Sequence, residues 1–273
     1  MKKYILKSLG LTMVLSALVA CQTTPMPQKN AALGLLICEP NELCPIVQVS
    51  WNEQALDHVG IKVSLDSVQQ YYDIQKITFT GSTQAGKAVA RGAVDSMKRV
   101  TLELGGKSPN LILDDADFNT AIPQAIFAAY INSGQACAAA TRLLVPAKRL
   151  DEVNAIAKAT IEQAVKVGDP KDKSVNIGPM VSRKQWETIQ GYIHSGIEQG
   201  ATLLTGGLGK PEGLEAGNFV KPTIFTNVNN KMRIAQEEIF GPVLCIIPYE
   251  DDADAIKIAN DTPYGLCSYI TSA

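Results

Sequence analysis

Two residues of this chain are suited to covalent chemistry. Cys137 lies in Asn132-Ser133-Gly134-Gln135-Ala136-Cys137-Ala138-Ala139-Ala140, a run of small side chains. Small neighbours leave room for a substrate beside the thiol, and a thiolate attacks carbonyl carbon readily. The same setting also suits an inert core cysteine, because a free thiol packs as a small hydrophobe. Glu103 is a lone carboxylate in the apolar run Val100-Thr101-Leu102-Glu103-Leu104, just before Gly105 and Gly106. In apolar surroundings it would act as a general base; turned to water it would be an ordinary surface charge. A third feature is Gly81-Ser82-Thr83, between a β-branched run and an alanine-rich stretch. A strand, a glycine turn and a helix start make an anion cradle, since the first helical turn has unpaired N–H groups. Many α/β folds carry the same arrangement with nothing bound.

These residues need elements to hold them. Ile77-Thr78-Phe79-Thr80 reads as a strand, and Gln84 to Ala90 as the helix after the turn. Arg99 to Leu104 and Asn110 to Leu113 are two further strands, the latter closed by Asp114 and Asp115. Asp117 can cap a helix from Phe118 to about Asn132. Leu143-Leu144-Val145 follows the Cys137 loop as a strand. Leu150 to Val167 and Val181 to Gln199 read as amphipathic helices. Gly206-Gly207-Leu208-Gly209 marks a surface turn between strands, Val243 to Pro248 a strand, and Ala253 to Asn260 a helix with aspartates at its start. Cys245 and Cys267 lie in apolar strand-like runs and read as structural. From residue 74 onward the alternation of strands and helices predicts an α/β fold.

Composition narrows the function classes. The chain has 273 residues, 46% of them hydrophobic and 19% charged, with a net charge of −2. That length is enough for two modest domains. The charge balance argues against nucleic-acid binding, which needs concentrated Lys and Arg. With only His58 and His194, and no paired CxxC motif, a metal site is not expected.

The N-terminus is of another kind. Lys2, Lys3 and Lys7 precede an apolar run of about 12 residues, Leu9 to Ala20, the length of a secretory signal core rather than a bilayer span. It ends Leu18-Val19-Ala20-Cys21, similar to a lipobox, so residues 1–21 read as a lipoprotein-type signal. Cys21 is the lipidation candidate and the point of possible membrane anchoring. An apolar helix packed into the core is the other reading. Gln22 to Asn30 is a polar, proline-bearing tether, and residues 22–73 as a whole stay unplaced. Cys38 and Cys44 suit either a small disulfide loop in an oxidising compartment or two free thiols. Trp51, Val59, Ile61 and Val63 hint at short strands.

Four motifs together resemble the aldehyde dehydrogenase superfamily. F-T-G-S-T-Q-A-G at 79–86 is similar to its cofactor loop, and L-E-L-G-G-K at 102–107 to its glutamate signature. G-Q-A-C at 134–137 is similar to its cysteine signature, and Q-E-E-I-F-G-P-V at 236–243 to a fourth, cofactor-contacting motif. Their order and the separation of Glu103 from Cys137 match the family, which makes chance an unlikely source.

The resemblance implies an α/β, aldehyde dehydrogenase-like fold. Residues 74–105 would be the C-terminal piece of a Rossmann-type NAD-binding domain, and 106–273 an α/β catalytic domain. It implies oxidation of an aldehyde to a carboxylic acid with NAD or NADP, Cys137 as nucleophile and Glu103 as base. Gly81, Ser82, Thr83, Gly86, Leu104, Glu238 and Phe240 would contact the cofactor. It also implies an oligomer, and flanking portions beyond residues 74–273 that carry an oxyanion-holding Asn, a ribose-holding Lys and part of the oligomerising sheet; neither motif occurs in 22–73. The enzyme portion points to the cytoplasm and the N-terminus to export. The alternative functions are an inactive truncated relic and a membrane-tethered lipoprotein binding module without catalysis.

Overall fold

The structure is a computed structural model that describes residues 47–50, as backbone strand alone, and 75–273. The expectations for Cys21, Cys38, Cys44, Trp51, Val59, Ile61 and Val63 fall outside the described residues. The chain divides after Leu104 into two units.

Among the described residues the first unit contains a three-stranded sheet, order β1-β2-β3, from Val47–Ser50, Lys76–Thr80 and Arg99–Glu103. Both pairings are parallel, Val47 opposite Ile77 and Phe79 opposite Leu102. Parallel neighbours require a crossover, and helix α1, Thr83–Val94, supplies it between β2 and β3. Its buried face, Gly86, Val89 and Ala93, lies on Ile77 and Phe79. Strand β1 comes from the stretch that sequence reading left unplaced; four residues acquire strand meaning only from their partner. The helix begins at Thr83 rather than Gln84, because the Ser82 Oγ accepts the Ala85 N–H at 3.2 Å and caps it.

The second unit is built on a six-stranded sheet. The strands are β4 Pro109–Ile112, β5 Arg142–Pro146, β6 Thr202–Thr205, β7 Thr223–Thr226, β8 Val243–Tyr249 and β9 Tyr269–Thr271, in the order β6-β7-β8-β5-β4-β9. Only the β6–β7 pairing is antiparallel. Alternation along the central strands separates two cores. Val243, Cys245 and Ile247 of β8 and Leu144 of β5 face one side; Leu244, Ile246, Leu143 and Val145 face the other. The first side is covered by α4, Arg183–Glu198, through Ile189 and Ile193, and by the short α5, Arg233–Gln236. The second is covered by α2, Phe118–Ala129, and α3, Leu150–Ala164. Covering both faces explains why these strands are continuous apolar runs rather than alternating ones. Among the described residues no helix is long and apolar enough to cross a membrane.

Two elements end earlier than their periodicity predicts. Helix α2 stops at Ala129, not near Asn132, because Asn132 and Ser133 adopt φ of 50° and 61°. Helix α3 stops at Ala164, where Val165 turns extended. Cys245 is buried in β8, as expected. Cys267 is not in a strand: β9 begins at Tyr269, and the half-buried Cys267 thiol sits 3.1 Å from the Ser108 Oγ.

Arg142 ties the β4, β5 and α6 (Asp252–Asn260) segments together at zero exposure. Its guanidinium donates to the carbonyls of Lys107 at 2.8 Å, Ile258 at 2.9 Å and Ala259 at 2.8 Å, and to Asn230 Oδ1 at 3.0 Å. Buried acceptors left without a donor are costly. Arg142→Leu is expected to lower unfolding stability by about 3 kcal/mol or more, read from the denaturant midpoint.

Candidate active site

The loop that carries Cys137 is shaped by three consecutive left-handed residues. Asn132 and Ser133 have positive φ, and Gly134 follows at φ 73°. Such backbone is unfavourable for side-chain-bearing residues and persists only where surroundings enforce it. The enforcing contacts are visible. The Ser133 Oγ accepts the Gly178 N–H at 2.9 Å, and the Asn132 side-chain amide donates to the Gln135 carbonyl at 3.1 Å. Gln135 Oε1 accepts the Val181 N–H at 2.9 Å. Gly134 packs on the Gly241–Pro242 backbone so closely that a Cβ there would stand 2.7 Å from the Pro242 nitrogen. The loop delivers Cys137 half-buried, with Ala138 exposed beside it. Cys137 is therefore not sealed in the core as an inert core cysteine is.

The segment after α5 is held in the same way. Phe240 has φ 55°, and the Gln185 side-chain amide donates to the carbonyls of Ile239 at 3.0 Å and Phe240 at 2.9 Å. Glu238, just before it, is mostly shielded. Burial pushes its carboxyl above the usual range, opposed by the Gly106 N–H, which donates to Oε1 at 3.3 Å, and by the Lys107 ammonium. Read from sequence without a family, Glu238 is a surface charge; the structure makes it a largely buried one.

Gly105 and Gly106 bring these two segments to one place. A Cβ on Gly105 would lie 2.8 Å from the Glu238 Cδ. A Cβ on Gly106 would lie 2.8 Å from the Cys137 carbonyl oxygen and 3.3 Å from Leu266. The missing side chains permit two close approaches, at Gly105 by the movable end of the Glu238 side chain and at Gly106 by the Cys137 carbonyl, which is backbone and cannot swing aside. On the far side, the Tyr269 hydroxyl donates to the Ala138 carbonyl at 3.0 Å, and Cys267 lies 3.9 Å from the same oxygen. Sequence reading missed Gln185, Tyr269 and Cys267. Nothing in their local sequence marks them, since their partners lie far along the chain.

In the first unit the turn after β2 meets the end of β3. The Gly81 N–H donates to the Glu103 carbonyl at 3.0 Å, and the Gly86 N–H to the Ser82 carbonyl at 2.9 Å. Thr83 opens α1, and Gly86 is buried against Leu104, whose methyls occupy the space of the missing Cβ, one at 2.9 Å. The turn sits outside the carboxyl ends of parallel strands, where α/β sheets bind ligands. Glu103 closes β3, the last strand of the sheet among the described residues, and is exposed there. The structure thus groups Gly81, Ser82, Thr83, Gly86, Glu103 and Leu104 in one unit, and Cys137, Glu238 and Phe240 in the other. Among the described residues no cluster of three or more His, Cys, Asp or Glu side chains is placed to hold a metal.

Comparison with known proteins gives a consistent picture. The model of the aldehyde dehydrogenase family matches residues 61–273, beginning ahead of Gln75. The 3-succinoylsemialdehyde-pyridine dehydrogenase of a Pseudomonas species is 52% identical over 200 residues, which cover 73% of this chain and 42% of that protein. A Staphylococcus saprophyticus relative is 43% identical over 252 residues, covering 88% of this chain and 53% of its own. The chain spans about half the length of the curated relatives it matches. Among solved structures, a Mycobacterium tuberculosis aldehyde dehydrogenase complexed with NAD+ matches with a TM-score of 0.74 and 48% identity, over 76% of this chain and 43% of that one. Aldehyde dehydrogenase C from Pseudomonas syringae, a cysteine-to-alanine mutant complexed with NAD+ and octanal, matches with a TM-score of 0.73 and 47% identity, over 75% of this chain and 42% of that one.

The strained loop gives a paired test. Gly134→Ala meets backbone on a second segment, whereas Gly200→Ala, at φ 84°, meets nothing within 4 Å. Gly200→Ala is expected to cost about 1 kcal/mol, the left-handed term alone. Gly134→Ala is expected to cost at least about twice that, with a changed alkylation rate at Cys137. Denaturation midpoints and alkylation mapped by peptide mass separate the two.

Proposed function

The chain belongs to the aldehyde dehydrogenase family, and from that premise we propose that it carries the thiol and carboxylate machinery for oxidising an aldehyde to a carboxylic acid with NAD or NADP. The observation that carries this reading is the half-buried Cys137 on a loop strained by Asn132, Ser133 and Gly134 and packed against the backbone that follows Glu238. The octanal and NAD+ bound to the Pseudomonas syringae enzyme and the NAD+ bound to the Mycobacterium tuberculosis one agree with it.

The residues present suit a dinucleotide. The Gly81–Ser82 turn opens a helix at the carboxyl end of β2, as a pyrophosphate requires. Glu238 presents a largely buried carboxylate whose only protein donor among the described contacts is the Gly106 N–H. That leaves acceptor capacity for the paired hydroxyls of a ribose. Gly81, Ser82, Thr83, Gly86 and Leu104 would hold the cofactor's phosphate side, and Glu238 and Phe240 its nicotinamide side. When bound, the cofactor supplies the hydride acceptor.

The protein's own chemistry then follows in order. The Cys137 sulfur attacks the aldehyde carbon, a C–S bond forms, and the carbonyl electron pair moves to oxygen as a thiohemiacetal. The Cys137 backbone N–H would donate to that oxyanion. Loss of hydride leaves a thioester on Cys137. Glu103 takes a proton from water as the water adds to the thioester; the acid leaves and the thiolate returns.

The test uses the full chain with a panel of aldehydes, following reduced cofactor by absorbance. Cys137→Ala is expected to abolish turnover. Glu103→Gln is expected to keep a single-turnover burst and to slow the steady state by about 10²–10⁴-fold. A steady turnover that survives Cys137→Ala contradicts the reading.

A further inference from the structure

The two halves of the Cys137 loop are built of different residues. Ahead of the thiol, Asn132, Ser133 and Gln135 bond through their side chains. Behind it come Ala138, Ala139 and Ala140, whose methyl groups form no hydrogen bonds. The backbone there makes two short local bonds, the Ala139 N–H to the Ala136 carbonyl and the Thr141 N–H to the Ala139 carbonyl, each at 3.0 Å. The Ala138 carbonyl, on an exposed residue next to the thiol, is held from outside the loop.

Among the described residues two side chains reach that carbonyl, and both come from the segment around the start of β9. The Tyr269 hydroxyl donates to the Ala138 oxygen at 3.0 Å, and the Cys267 thiol lies 3.9 Å from the same oxygen. A thiol is a weak donor, so the phenol is the main restraint. Cys267 backs it, 3.7 Å from the Tyr269 hydroxyl and 3.1 Å from the Oγ of the buried Ser108. The phenol has a fixed base because its strand is paired. Tyr269 stands opposite Asn110 of β4, and the Leu113 N–H donates to the Thr271 carbonyl at 2.9 Å. The Cys267 contact, and burial after it, make the phenol hold its proton more tightly than usual, so the hydroxyl remains a donor over the ordinary pH range.

We propose that Tyr269 is a positioning residue for the thiol. Its hydroxyl, carried by β9, latches the Ala138 carbonyl and so holds the chain on the C-terminal side of Cys137, while the close approach at Gly106 seats the Cys137 carbonyl. The latch stands on these contacts alone; its effect on rate rests on the aldehyde-oxidising role of Cys137 proposed above. A reacting sulfur must be held close to its productive position, and a small misplacement costs rate rather than binding.

The experiment compares the full chain with Tyr269→Phe, which keeps the ring and the ladder to β4 and removes only the hydroxyl. Phenylalanine suits an exposed strand position, so the variant is expected to fold with a nearly unchanged unfolding midpoint. Amide exchange is followed by nitrogen-15 NMR at Ala139 and Thr141 in the loop, and at Leu144, buried in central strand β5, as the reference for the whole fold. In Tyr269→Phe the Ala139 and Thr141 amides are expected to exchange about fivefold faster, the factor of one hydrogen bond, with Leu144 unchanged. At saturating aldehyde and NAD+ the first turnover is expected to slow by about fivefold or more, with KM for the aldehyde within about twofold. Loop amides that do not change overturn the proposal. So do three amides that speed up together, which would make the hydroxyl a contribution to stability alone. A loosened loop with an unchanged first turnover also overturns it, because the thiol would then be placed without the latch. A parent chain with no turnover contradicts the aldehyde reading instead, and loosened loop amides in Tyr269→Phe then still support the latch, since they need no substrate.

Discussion

Two adjacent glycines set what the second unit can do. Gly105 and Gly106 have no side chains, and the space is taken by groups that matter. The Glu238 carboxylate lies against the first, and the Cys137 carbonyl against the second. Glycine is needed here for close approach of other groups rather than for a left-handed turn, since neither residue has positive φ. Because the two are neighbours, the thiol loop and the carboxylate segment are positioned from one length of backbone. An error of one methyl group there would move one or the other.

Rigidity around that backbone comes from buried polar groups, each with an assigned partner. Arg142 joins the start of β4 to the end of α6 through three carbonyls and an amide. Burial lowers the hold of its guanidinium on its proton, while Asp261 acts in the opposite sense. Tyr130 sends its hydroxyl to the Thr223 carbonyl at 2.8 Å, and Tyr249 to that of Ile112 at 2.9 Å. Both tie a covering or central element to a strand. The strain stored at Asn132, Ser133 and Phe240 is sustained by this frame together with Gln185 and Ser133's bond to Gly178. Strained backbone clustered on two loops that meet is what a site held for function requires, although strain alone identifies no reaction.

Much of the fold was legible because local and global signals agree. The apolar runs at 109–112, 142–146 and 243–249 are strands buried on both faces, and Asp117 caps a helix as expected, while the caps at Ser82 and Ser182 came from the structure. What sequence reading misplaced has tertiary causes. Periodicity carried α2 on toward Asn132, but contact of Gly134 with Gly241 turns the chain first. Cys267 follows Leu266 and looks like part of a strand; the ladder to β4 begins only at Tyr269. β1 is four residues whose strand character rests on pairing with β2. Glu238 looked like a surface charge because what shields it, Gly105 and Tyr264, is remote in sequence on one side or the other. At the site, types and order pointed to the residues, while burial and hydrogen-bond partners had to come from the structure.

The dependence of the site on Gly106 can be measured directly by the alkylation rate of Cys137 with iodoacetamide, followed on its own peptide so that other cysteines do not contribute. The comparison is between the parent chain, Gly106→Ala and Gly191→Ala, the last an exposed-helix control with nothing within 4 Å of the added methyl. Gly191→Ala is predicted to match the parent. Gly106→Ala is predicted to slow alkylation by about tenfold or more, because its methyl must displace the Cys137 peptide. Equal rates in all three would show that the thiol is positioned by something other than this backbone, and would contradict the account.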